Sequence, residues 1–84
     1  MELNVNFSEI TLAAAKMRGL DAYLMALREA EFTFERGLAA AIQYIQDNDG
    51  TVSHSKGVTR LRLGNEEAFV FQLYEDIDRF YFET

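Results

Sequence analysis

Apolar side chains recur three and four positions apart through the first half of the chain: Ile10, Ala13, Met17, Leu20, Leu24, Leu27, Phe34, Leu38, Ala41 and Ile45. This spacing draws one stripe along an α-helix, and Glu31 alone interrupts it. Ser8 has the chemistry of an N-cap. Gly19 followed by Asp21 reads as a stop and a fresh cap, which places helices at about 9–18 and from 22 onward. An unbroken helix from 22 to Asn48 would span about 40 Å, long for a small domain. The segment EFTFE alternates like a strand just where Glu31 breaks the stripe, so a break or kink is expected near 31–33, with Thr33 capping a new helix. The run DNDG then ends the helical half, with Gly50 as its left-handed stop.

After Gly50 the period changes to two. TVSHS, VTRLRL, AFVFQLY and RFYFE are short, rich in β-branched or aromatic residues, and separated by KG, GNE and EDID. Runs of this kind predict an antiparallel meander of three or four strands. A two-residue turn at Gly64-Asn65 would set Arg62 opposite Glu67 and Arg60 opposite Phe69, mixing charges with aromatics. A three-residue loop, Gly64-Asn65-Glu66, puts Leu61 and Leu63 on one face with Phe69 and Phe71 and is the expected register. Leu73, Phe80 and Phe82 extend that face, leaving Val58, Arg60, Arg62, Val70, Gln72, Tyr74 and Tyr81 opposite. The expected fold is a single α+β domain over residues 1–84: two or three N-terminal helices, about 8–48, packed on one face of a C-terminal three- to four-stranded antiparallel β-meander, about 51–84.

Composition bounds what such a domain can be. Among 84 residues there is no cysteine, so neither disulfides nor thiolate metal sites arise. The N-terminal MELNVNFSEI has neither the basic nor the apolar region of a signal peptide, and no run approaches the roughly 18 apolar residues of a membrane span. A soluble cytoplasmic protein is the reading. Fourteen acids against eight bases give a net charge of −6, which repels nucleic acid and anionic lipid and attracts a basic protein.

Catalytic chemistry finds little purchase. His54, the one histidine, is flanked by Ser53 and Ser55, whose side chains point to the other face of a strand. The DNDG run fails as a calcium loop: with Gly50 at the sixth position, Ile45 and Lys56 stand where carboxylates are required. Glu75, Asp76 and Asp78 lack converging ligands in the sequence, and GVTRLRLG is no phosphate-binding loop. Neither enzymatic activity nor a cofactor is expected.

Binding is the stronger expectation. From Glu66 to Thr84 six acids (Glu66, Glu67, Glu75, Asp76, Asp78 and Glu83) face one base, Arg79. Together with Tyr74 and Tyr81, the residues Glu75, Asp76, Asp78 and Glu83 make an acidic, aromatic rim suited to a protein with a basic surface. Such a rim fits an inhibitor of a nucleic-acid-processing or defence complex, of the kind phages and mobile elements encode. One alternative is a homodimeric structural or regulatory subunit, associating through an edge strand or through Tyr23, Ala30, Gly37 and Tyr44, which recur every seven residues beside the main stripe, together with Ala39, Ala40 and Ala41; Met25 and Phe32 lie off the stripe and are exposed if the helix is continuous. Another is a single-stranded nucleic-acid binder using Arg60, Arg62, Tyr74 and Tyr81. Against it, Arg60 and Arg62 are expected to pair with Glu67 or Glu83 and keep a sheet face soluble.

Overall fold

A computed structural model describes residues 12–84, so Ser8 and the expected helix start lie outside the described residues. Three helices precede a four-stranded antiparallel sheet. The helices are α1 (Leu12–Arg18), α2 (Leu20–Glu29) and α3 (Phe34–Asp47). The strands, β1 (Thr51–Ser55), β2 (Val58–Leu63), β3 (Glu66–Val70) and β4 (Phe82–Glu83), lie in sequence order across the sheet.

The helix breaks fall where the pattern places them. Thr33 is the N-cap of α3, its hydroxyl accepting from the Arg36 N–H at 3.2 Å. Before it, α2 ends on Glu31 at φ 60°, with the Phe32 N–H reaching the Leu27 carbonyl and the Glu31 N–H that of Arg28. This pair of bonds is the Schellman closure, here built on a glutamate where glycine is usual. The end of α3 repeats it. Asp49 takes the left-handed conformation at φ 62°, so the expected role of Gly50 passes to its neighbour. Gly50 is needed for a different reason: a Cβ there would lie 2.8 Å from Ile45 Cγ2 and closer still to the Arg62 carbonyl oxygen.

At the α1–α2 junction the expected cap also moves. Asp21 lies inside the first turn of α2, Gly19 holds the N-cap position at φ 123°, and no local side chain caps it. The Glu66 carboxylate does so from β3, accepting from the Leu20 N–H at 2.7 Å. A carboxylate there meets both the orphan N–H groups and the positive end of the helix dipole.

The sheet register corrects the expected one. Leu63 pairs with Glu66, Arg62 with Glu67 and Arg60 with Phe69, so the turn is the two-residue Gly64-Asn65. Gly64 has φ 62° while Asn65 does not enter the positive region, the pattern of a II′ turn. Thr59, Leu61, Ala68, Val70 and Phe82 are therefore buried toward the helices, and Phe69 and Phe71 are half-buried on the outer side. The three-residue loop would place Val70 outside and Phe69 and Phe71 inside, the reverse of the observed faces. Leu20, Leu24, Leu27, Tyr23, Phe80 and Phe82 already fill the interior, and β3 completes it with the small side chains of Ala68 and Val70. Leu73, expected in the core, is 45 % exposed.

Between the helices, the rings of Tyr23 and Tyr44 stack 4.7 Å apart, and the Tyr44 hydroxyl donates to the Lys16 carbonyl at 3.0 Å. Burial pushes both hydroxyls above their ordinary pKa near 10; the facing Tyr44 adds to the effect on Tyr23, and the Glu66 carboxylate to that on Tyr44. Above the ordinary value the unfolded chain releases protons that the folded chain keeps, so these groups cost stability as pH rises past about 10 and none below it. Melting temperatures measured from about pH 8 to about pH 11 should fall at the alkaline end. The Tyr23→Phe, Tyr44→Phe double variant should fall less steeply, and an unchanged slope would contradict the assignment.

Candidate functional site

The six acids of the C-terminal segment have different employments. Glu66 caps α2. Glu67 pairs with the Arg60 guanidinium across the β2–β3 ladder, with Arg62 3.9 Å away. Asp78 Oδ1 accepts from the Phe34 N–H at 3.0 Å, adding a second cap to α3 beside Thr33. Glu83 accepts from the Tyr81 hydroxyl at 3.3 Å. Glu75 and Asp76 remain, with no hydrogen bond or ion pair to any described residue.

These two occupy the corner of a tight turn in which the Ile77 N–H reaches the Tyr74 carbonyl and Tyr74 and Ile77 bridge in antiparallel fashion. The turn is held from below. The Phe80 N–H donates to the Phe32 carbonyl at 2.9 Å, Arg79 lies 3.9 Å from Glu31, and the buried Phe80 ring rests on Gly37 of α3. The chain from 78 to 80 is thus strapped across the α2–α3 junction, which fixes the base of the turn and leaves its tip outside.

Apolar surface accompanies the acids. Leu73, Tyr74 and Ile77 are 45 %, 56 % and 47 % exposed, close together on one short turn. They border an open groove of about 450 Å³ between the end of α2 and the C-terminal segment, whose polar wall is Arg28, Glu29, Glu31 and Arg79. Tyr81 forms part of this wall but is half-buried, with its ring centre 5.3 Å from that of Phe71 in an edge-to-face arrangement and the Arg28 guanidinium 5.0 Å over its face. Exposed apolar side chains ringed by charge are a composition that interaction surfaces share.

Of the residues singled out in the sequence, Tyr74, Glu75 and Asp76 come together at this tip. Asp78 is at its base as a helix cap, and Tyr81 and Glu83 lie along the final strand as partners of each other. Leu73, Ile77 and Arg28 were missed. Leu73 reads as core on an alternating strand, Ile77 as part of the EDID turn, and Arg28 as an ordinary exposed helix residue. Arg60 and Arg62 are engaged with Glu67 on the outer sheet face, while Tyr74 lines the groove. His54 Nδ1 lies 2.9 Å from the Thr59 hydroxyl, its cross-strand neighbour. Gly37 and Ala41 are buried in the chain's own core, Met25 is 39 % exposed, and Phe32 is half-buried with the Arg36 guanidinium 4.6 Å over its ring. Among the described residues no three histidine, aspartate or glutamate side chains gather as a metal-binding group, and no helix is long and apolar enough to cross a membrane.

The architecture is that of a small α+β domain with an antiparallel sheet, carrying an acidic turn with exposed apolar shoulders. Comparison with protein families, curated proteins and solved structures finds no match to the chain.

Proposed function

We propose that the protein is a small acidic protein-binding module without catalytic activity, which occludes a basic surface on a larger partner through the Leu73–Ile77 turn. One observation supports the reading: of six neighbouring carboxylates, Glu75 and Asp76 are the two without a hydrogen bond or ion pair to another described residue, and they stand between exposed Tyr74 and Ile77. A rigidly based tip with an aromatic anchor loses little conformational entropy on docking, and its two charges steer it toward positive potential. Grooves that hold nucleic acid carry such potential, so occlusion makes the chain an inhibitor of a nucleic-acid-processing or defence complex, of the kind phages and mobile elements carry.

The test is capture from nuclease-treated lysate of the native host, followed by titration of the purified partner. Glu75→Lys with Asp76→Lys should abolish capture, and Tyr74→Ala should weaken binding by about 2 kcal/mol, some thirtyfold. Asp78 must be left intact in this experiment, because its replacement removes a cap from α3 and confuses folding with binding. Undiminished binding by both variants would remove the turn from the interface.

A further inference from the structure

We propose that the edge of β1, which has no strand partner beyond β2 among the described residues, pairs with β1 of a second copy of this chain, joining two sheets into one. The proposal is independent of the acidic turn, which the chain builds between β3 and β4 while β1 is the opposite edge of the sheet.

The hairpin fixes which backbone groups are unpaired. Ser55 and Val58 flank the two-residue turn Lys56-Gly57, both at positive φ, and form the hydrogen-bonded pair that closes a I′ hairpin. Alternation then gives the other ladder bonds to Ser53–Arg60 and Thr51–Arg62. The N–H and C=O groups of Val52 and His54 consequently point away from β2, along the open edge. The strand's own residues supply no edge protection: Thr51–Ser55 contains no proline, lysine, acid or glycine.

The edge also has an apolar shelf. In α3, Tyr44 faces α2 through its stacking on Tyr23, and Gly37, Ala41 and Ile45 face the core. Leu38 and Ile42 lie on the flank turned away from α2. Since α3 packs over β1 and β2 while α2 packs over β3, that flank overhangs β1. Both side chains are half-buried, as is Val52 beneath them.

A second copy fits this edge better than a charged partner does. Thr51–Ser55, Leu38 and Ile42 carry no formal charge in a chain of net charge −6, so the centre of this window is where two copies meet with the least like-charge contact. Antiparallel pairing centred on Ser53 sets Val52 opposite His54 of the second copy, and the reverse, which makes four main-chain hydrogen bonds. With strands about 4.8 Å apart and α3 lying between β1 and β2, the two α3 axes come about 10 Å apart, the separation of packed helices. Leu38 and Ile42 then meet their counterparts across the two-fold axis. The contact face measures roughly 20 Å by 20 Å, or about 800 Å² over both copies, which is below the size of a permanent dimer. Association is therefore weak and concentration-dependent.

Sedimentation equilibrium on the full chain, from micromolar to millimolar concentration, reads this directly. The wild type should shift from monomer toward dimer. Ser53→Glu places two carboxylates face to face at the symmetry axis while offering each an intramolecular partner in Arg60, so it should weaken association at least tenfold with the circular dichroism unchanged. His54→Pro, which removes an outward N–H but no main-chain bond to β2, losing only the side-chain contact with Thr59 there, should do the same. Amide exchange on the wild type supplies a readout without mutation: Val52 and His54 should gain protection as concentration rises. A monomer throughout, a dimer indifferent to Ser53→Glu, or protection at Val52 and His54 that does not vary with concentration would each overturn the proposal.

Discussion

Gly37→Ala should destabilise the protein by about 3 kcal/mol, although helix propensity alone favours the change by about 1 kcal/mol. The site lies in the first turns of α3, where alanine is the better helix former. Packing decides the sign. A Cβ at this position would stand 2.6 Å from the Phe80 Cβ and nearer to its ring, and Phe80 is only 2 % exposed, so the whole residue has to move. Moving it strains the Phe80–Phe32 backbone bond and the base of the acidic turn. Roughly 4–13 kcal/mol is the total stability expected for 84 residues, so the loss is a large share of it. Urea unfolding of Gly37→Ala, Phe80→Ala and the double variant forms a cycle in which the two losses are far from additive. A Gly37→Ala protein more stable than the wild type would mean that Phe80 does not dock on α3.

Gly50→Ala should be at least as damaging, about 3 kcal/mol or more, by a route that leaves less room for relief. Here the obstruction is largely backbone: the Arg62 carbonyl oxygen of β2 lies under the new methyl group, with Ile45 Cγ2 at 2.8 Å and Leu63 Cδ1 at 3.3 Å. The Gly50 N–H also donates to the Ile45 carbonyl at 2.8 Å to close α3, so the residue is fixed from both sides. Asp49→Gly is the informative contrast. It relieves a left-handed residue that glycine accepts at no steric cost, and it should be neutral or mildly stabilising in the same urea experiment. A Gly50→Ala protein with an unshifted unfolding midpoint would contradict the close approach of helix end and sheet.

Much of this fold was legible because local rules and tertiary structure agree. The three-four spacing up to Ile45, the break at Glu31–Thr33 and the change of period after Gly50 mark the helical layer and the meander. The register was not legible, because period-two alternation allows either face of VTRLRL and AFVFQLY to point inward. The choice fell to volume, with Ala68 and Val70 fitting under helices that Phe80 and Phe82 had already approached. Nor was the fate of the acids. Glu66 and Asp78 cap helices 46 and 44 residues away in sequence, and a tertiary cap looks like any surface carboxylate until the chain is folded. The left-handed closures at Glu31 and Asp49 were hidden for a related reason, since neither is the glycine that normally announces one.

Those assignments sharpen the functional reading. The C-terminal segment is part of the structure from Asp78 to Glu83, through a cap, a strap and a final short strand. The acidic rim contracts to Glu75 and Asp76, and its aromatic component to Tyr74. Leu73 and Ile77 join it as exposed apolar flanks of the proposed interface.

The most direct measurement is the affinity of the captured partner for the wild type and for the Glu75→Lys, Asp76→Lys variant, taken by calorimetry at two salt concentrations with circular dichroism as the folding control. Binding that weakens with salt in the wild type and vanishes in an equally folded variant is the predicted result. Equal affinity for the two proteins would contradict the assignment of the turn as the binding surface.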